Sequence, residues 1–284
     1  MPEPLKYMYN REFVEGLALD IQKVYKQYQV DKFIQSVLNK DWDKKELKER
    51  MRHISNNLKE FLPDDYSKAL KILVETTKLH RIKKAELEKI DFCDLVFPDF
   101  VEVNGLDYFD ISLDALEEFT KVSSSEGAIR HFILKDQKNT FKRIMKWSKG
   151  SNLMVRRLAS EGCRPRLPWT IGLKELQKDP TPIIPILENL VLDSSEFVRR
   201  SVANNLNDIS KDNPNVVIDF IKKWKGKNKD TDRLLKHGAR TLLKKGNIEV
   251  LSLFGFASKS KRIEISNFEL KKQKIKNGED LLFS

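Results

Sequence analysis

Cysteine and histidine are too sparse in this chain to build chemistry on. The two cysteines, Cys93 and Cys163, lie far apart without paired spacing, which argues against a disulfide framework or a cysteine zinc site and fits a reducing cytoplasm. The four histidines, His53, His80, His131 and His237, include no pair at metal-ligand spacing, so no metal is expected. No Walker loop, dinucleotide fingerprint or serine-hydrolase elbow occurs, which leaves no cofactor to expect. No apolar run approaches the roughly 18 residues of a membrane helix, and the N-terminus has no basic region before an apolar one; neither membrane insertion nor export is expected. Glycine totals 11 of 284 residues, and regular apolar–polar alternation is missing until the end of the chain. That is poor material for a β-fold.

What is present is charge and helical periodicity. Hydrophobic residues make up 40% of the chain, enough for a core, and 53 Lys plus Arg against 42 Asp plus Glu leave a net charge of +11. Such an excess favours a polyanionic partner, because phosphate neutralisation releases counterions. Between Phe13 and Tyr28 the residues Val14, Leu17, Ile21, Val24, Tyr25 and Tyr28 recur every three or four positions, predicting one amphipathic helix. Similar patterns predict helices near 43–60, 66–79, 112–121, 125–134, 138–148, 153–161, 183–192, 195–209, 214–224, 231–244 and 248–254. The fold class is all-α.

These helices repeat. Ile183 to Leu190, then Asp193, then Val198-Arg199-Arg200 with Ala203 and Leu206, has the layout of a HEAT-type unit, two antiparallel helices joined at an acidic turn. Val155-Arg156-Arg157 precedes Val198-Arg199-Arg200 by 43 positions, within the HEAT period. Phe141, Ile144, Met145 and Trp147 would form the first helix of the earlier unit, and a looser copy runs from Val216 to Leu242. A HEAT/ARM-like solenoid with a groove for an elongated ligand is expected. The tail differs: Ile263, Ile265, Phe268 and Leu270 partly alternate, Asn277-Gly278 is a hairpin signal, and Leu281-Leu282-Phe283 is apolar, so a short C-terminal β-hairpin is predicted.

The segment Arg156 to Trp169 concentrates four arginines (Arg156, Arg157, Arg164, Arg166), one carboxylate (Glu161) and one tryptophan. Arginine binds phosphate through paired hydrogen bonds, a carboxylate favours a cationic base or sugar, and an indole packs on a nucleobase or deoxyribose. Composition alone also fits a basic helix end followed by a proline turn.

Together with Glu3-Pro4-Leu5-Lys6, Glu46 to Ile54 and Val198 to Ser210, in that order, this segment closely resembles the AlkC branch of the AlkC/AlkD-type DNA alkylation repair glycosylases. The resemblance runs from residue 1 to about 258, implying a helical-repeat glycosylase domain over 1–258; residues 259–284 are then a β-like tail or the start of the immunoglobulin-like domain into which some relatives continue. It implies that acidic residues at Glu126, Glu161 and Asp208 surround the lesion. Glu161, at the end of the basic helix, is the first choice to stabilise positive charge on the sugar and to orient or deprotonate the attacking water. Trp169 and Arg157 are assigned to the lesion or its sugar. Arg156, Arg164, Arg166, Arg199, Arg200, Lys222, Lys223, Lys225, Arg233, Lys236 and Arg240 are assigned to DNA. The expected activity is monofunctional, metal-free excision of cationic N3-alkylated bases, 3-methyladenine and also 3-methylcytosine, by a monomer on double-stranded DNA in the bacterial cytosol. The rival is a non-catalytic HEAT scaffold for nucleic acid or an acidic protein; convergence of Glu126, Glu161, Asp208 and Trp169 on one surface separates the two.

Overall fold

Short polar side chains start many of the helices. Asn10, Asp136, Asn152, Asn228 and Asn247 each accept a hydrogen bond from a backbone N–H in the first turn, and Glu46 and Glu49 close a reciprocal capping box. Each cap satisfies donors that the helix cannot, a contribution of about 1 kcal/mol. In the computed structural model the described residues are 4–83, 92–256 and, in the tail, 266, 269–272, 274–276 and 278–281.

The helices are α1 (Arg11–Val24), α2 (Val30–Val37), α3 (Leu47–Phe61), α4 (Tyr66–Lys83), α5 (Val96–Asn104), α6 (Phe109–Thr120), α7 (Ile129–Lys135) and α8 (Gln137–Trp147). They continue with α9 (Leu153–Glu161), α10 (Lys174–Lys178), α11 (Ile184–Leu190), α12 (Glu196–Ile209), α13 (Pro214–Trp224), α14 (Lys229–Gly238), α15 (Arg240–Lys244) and α16 (Ile248–Leu253). In the C-terminal half they form the predicted pairs α8/α9, α11/α12 and α13/α14, and the second members stack: α9 packs on α12 and α12 on α14. In the N-terminal half α3 packs on α5, and α1 on α2 and α4. One contiguous apolar core runs from Tyr9 to Val250. No helix among the described residues is long and apolar enough to cross a membrane.

The structure departs from the periodicity in specific places. The helix predicted through Tyr28 stops at Val24, because Tyr25 turns extended; Tyr28 still packs, its ring 5.5 Å from that of Phe33 on a second helix, so the stripe outlives the helix that suggested it. Helix α5 is absent from the sequence prediction because Val96 to Val101 are all buried, Pro98 and Asp99 included, which erases any amphipathic period. The short α10 was also not expected. The helix predicted over 231–244 breaks into α14 and α15 at Ala239.

The predicted β-hairpin is not supported: no strand forms among the described residues, and much of the tail, including Ile263, Ile265, Phe268 and Asn277, lies outside them. Gly278 adopts a φ of +95° and Glu279 N donates to Lys276 O. The described tail side chains are exposed, with no packed face to hold a strand pair.

Candidate active site

Three segments of the chain deliver one charged array. The turn before α7 supplies Glu126, α9 supplies Arg157 and Glu161, the loop after α9 supplies Arg164, and the last turn of α12 supplies Asp208. Arg157 Nη1 and Nη2 reach the two oxygens of Glu126 at 3.0 and 3.4 Å, and Nη2 stands 3.8 Å from Glu161 Oε1. Arg164 then donates from Nη1 to Glu161 at 2.6 Å and from Nε to Asp208 at 2.8 Å. The order is acid, arginine, acid, arginine, acid. The three carboxylates assigned to the lesion thus converge, each held apart from the next by a guanidinium.

They do not share one environment. Glu161 and Asp208 are buried at 5% and 2% exposure; Glu161 Oε2 also accepts from Ser201 Oγ at 2.6 Å, and Asp208 from Lys211 at 3.0 Å. Glu126 keeps 22% of its side chain exposed. Glu126 and Arg157, with Ser124 and Trp169, line a cleft of about 1130 Å³. Arg157 is held from the other side by Phe197, whose ring lies 4.7 Å from the guanidinium carbon.

Trp169 stands at the mouth of that cleft. It is 68% exposed and sits at φ +64°, a left-handed conformation rare outside glycine. Holding a bulky residue there costs on the order of 1–3 kcal/mol and persists only where the surroundings impose it. Lys48 Nζ donates to the Trp169 carbonyl from across the cleft. Thr170 Oγ1 closes the turn onto Leu167 O at 3.1 Å.

The basic residues divide by what they touch. Arg156 binds Asp193 at 2.6 and 3.1 Å and the carbonyls of Gly150 and Ser151, and Arg199 binds the carbonyls of Asp193 and Ser194 and the carboxylate of Asp230. These second-helix arginines clamp the acidic turn of the HEAT units. Arg164 is an internal bridge, and Arg166 pairs with Asp212 at 2.7 Å. Lys222 and Lys223 pair with Glu249 and Glu188, on α16 and α11, away from the array. Arg200 pairs with Glu196 at 3.1 Å, while His237 and Arg240 gather by Asn204: burial first, then Arg240 and Arg200, lower the His237 pKa, and Arg240 Nη2 donates to Asn204 Oδ1 at 3.3 Å. Lys225 and Arg233 are exposed, and Lys236 lies 5.0 Å from the Phe256 ring.

The opposite wall of the cleft was missed by sequence reasoning. It comes from α3, α5 and α7, where Arg52 binds Asp99 and Glu102, and His131 Nε2 lies 3.3 Å from Glu102 Oε1. Burial would raise Glu102, but His131 and Arg52 outweigh it and hold the carboxyl below its ordinary range. The only sequence signal was that Lys48, Arg52 and His53 fall within Glu46 to Ile54, a stretch singled out for resemblance but given no role. Among the described residues no group of three or more His, Cys, Asp or Glu side chains is arranged to hold a metal ion.

Comparison with known proteins follows the same outline. The model of a family described as DNA alkylation repair enzyme matches residues 80–243. The chain is 41% identical over 280 residues to the uncharacterized protein YhaZ of Bacillus subtilis (strain 168), across 99% of this chain and 76% of that protein. It is also similar in structure, at TM-score 0.82 and 37% identity, to the Pseudomonas fluorescens alkylpurine DNA glycosylase AlkC bound to DNA containing an abasic site analog, over 90% of this chain and 69% of that one.

Proposed function

Because this chain belongs to the DNA alkylation repair enzyme family, we propose that it is an alkylpurine DNA glycosylase that hydrolyses the N-glycosidic bond of cationic N3-alkylated bases, 3-methyladenine first and 3-methylcytosine second, in duplex DNA. The observation that carries the reading is the convergence of Glu126, Glu161 and Asp208 through Arg157 and Arg164, beside the exposed Trp169. A scaffold has no use for a buried array of this kind at the edge of a cleft. The similarity to a glycosylase bound to abasic-site DNA supports the same partner.

The chemistry follows from charge. An N3-alkylated base already carries a positive charge and leaves as a neutral molecule, so the site need not protonate it. What must be stabilised is the positive charge growing on the sugar, and fixed carboxylates favour that state over the ground state. Glu126 is the acid open to the cleft; Glu161 and Asp208 lie behind it, paired to arginines. A strand phosphate arriving at Arg157 would compete with Glu126 for the guanidinium and turn that carboxylate toward the sugar. In this reading Glu161 orients or deprotonates the water, and Trp169 is the apolar wall against the sugar. Lys211 is bound to Asp208 and Lys48 to the Trp169 carbonyl; neither is placed as a Schiff-base nucleophile, so in this reading cleavage stops at the abasic site.

Incubating the protein with methylated duplex and measuring the released bases tests the reading. Release of free 3-methyladenine with an intact, alkali-labile strand is expected; binding without any base release would replace the enzyme with a scaffold.

A further inference from the structure

Beneath the loop that carries Trp169 lies an arginine paired with no acid. Arg130, on α7, is fully buried at 0% exposure. Its Nε donates to Ile171 O at 2.7 Å, and its Nη1 to Arg164 O at 2.7 Å and Gly162 O at 3.2 Å. Nη2 is buried without a hydrogen-bond partner. The nearby carboxylates Glu161 and Asp208 are turned to Arg164 instead. Burial, the largest influence on Arg130, draws its guanidinium down to about 10.

A core position does not need such a group. An unpaired cation is costly to bury, and an apolar side chain of similar volume would fill the space at less cost. What an apolar side chain cannot do is hold three carbonyls at once. The planar guanidinium presents donors in a fixed fork, whereas an ammonium offers a single point. The carbonyls it collects are the two ends of one loop: Gly162 and Arg164 where the chain leaves α9, and Ile171 where it returns. Between them lie Arg166 and Trp169, the latter in its left-handed conformation.

We propose that Arg130 is a positioning residue: its buried guanidinium pins both ends of the 162–171 loop and thereby sets Trp169 and Arg164 against the carboxylate array. Arg130 touches no reacting atom, and its effect passes through the loop. The catalytic consequence rests on the glycosylase reading, while the pinning of the loop does not. The two can be tested separately.

The test uses the full chain with Arg130→Lys and Arg130→Gln, each checked for a cooperative melt. Two readouts are taken: single-turnover 3-methyladenine release at saturating enzyme, and tryptic cleavage under native conditions after the exposed Arg166, compared with cleavage after the exposed Lys225 at the end of α13. Cleavage after Arg166 should accelerate about tenfold while that after Lys225 stays as in the wild type. Excision should fall by roughly tenfold to a hundredfold, as for a displacement of about 1 Å in a reacting centre, with duplex affinity kept within about twofold. Arg130→Lys should lie between the wild type and Arg130→Gln. Unchanged cleavage after Arg166 overturns the proposal, as does equal acceleration at both sites or failure of both variants to fold, since each makes Arg130 a part of the core only. If the wild type releases no base, the glycosylase reading falls, and the cleavage comparison still decides whether Arg130 holds the loop.

Discussion

Glu161 and Glu126 answer to the same arginine from different surroundings, and substitution should separate them. Glu161→Gln keeps the shape and one acceptor for Arg164 and Ser201 but removes the charge; single-turnover excision should fall by about two orders of magnitude or more while the fold persists. Wild-type rates in this variant would remove Glu161 from the chemistry. Ser201 supplies a 2.6 Å hydrogen bond to Glu161 Oε2. Bonds to charged groups contribute about 1.5–3 kcal/mol, so Ser201→Ala should reduce excision by roughly tenfold to a hundredfold with little change in duplex affinity. A fall in affinity without a fall in rate would show that Ser201 does not act through Glu161.

Among the elements, α7 approaches the end of α9 closely. A Cβ on Gly162 would stand 2.6 Å from Ile129 Cγ2, a position that real Cβ atoms do not take. Gly162→Ala must therefore push α7 away from the root of the 162–171 loop, at about 1–3 kcal/mol of stability, read as a lower melting temperature. An unchanged melt would mean that the two elements can separate freely. The clamp of α9 onto the turn before α12 gives the complementary case. Arg156 pairs with Asp193, which is 5% exposed along its side chain, so Arg156→Met strands a buried carboxylate and should cost about 3–5 kcal/mol. Its signature is lost stability with duplex affinity unchanged in the folded fraction, the opposite of a phosphate contact. Sequence assigned Arg156 to DNA because an arginine in a basic motif and an arginine in a HEAT clamp have the same letter.

For the molecule as a whole, charge is the selector of both partner and lesion in the proposed reading. If the exposed Lys225 and Arg233 contact phosphate, affinity for undamaged duplex falls steeply with salt, and removing either shallows the slope of log K against log salt by about one unit. An unaltered slope would place them off the DNA path. Lesion choice should follow leaving-group charge: 3-methyladenine and 3-methylcytosine depart as neutral bases, whereas uracil and hypoxanthine need an acid that this array does not evidently supply. Efficient release of either neutral base, measured at single turnover on matched duplexes, would show a protonating group that the array reading lacks.

The sequence by itself determined the helical class, the helical-repeat spacing and the arginine-rich motif that holds Glu161. Each of these is carried by local order: the apolar period of α9 and α12, the 43-residue step from Val155 to Val198, and the motif from Arg156 to Trp169. Tertiary structure decided the rest. It turned Arg156 and Arg199 inward, placed Lys222 and Lys223 against acids on α16 and α11, brought the α3 and α5 wall across from Glu126, and buried Arg130 under the loop. The reason is physical. Period and motif are properties of neighbours in the chain, whereas the duty of an arginine depends on which carbonyl, carboxylate or solvent its long side chain meets, and partners that join the array across elements stand far off in sequence: Glu126 is 31 residues from Arg157, Asp208 is 44 from Arg164, and Trp169 is 121 from Lys48.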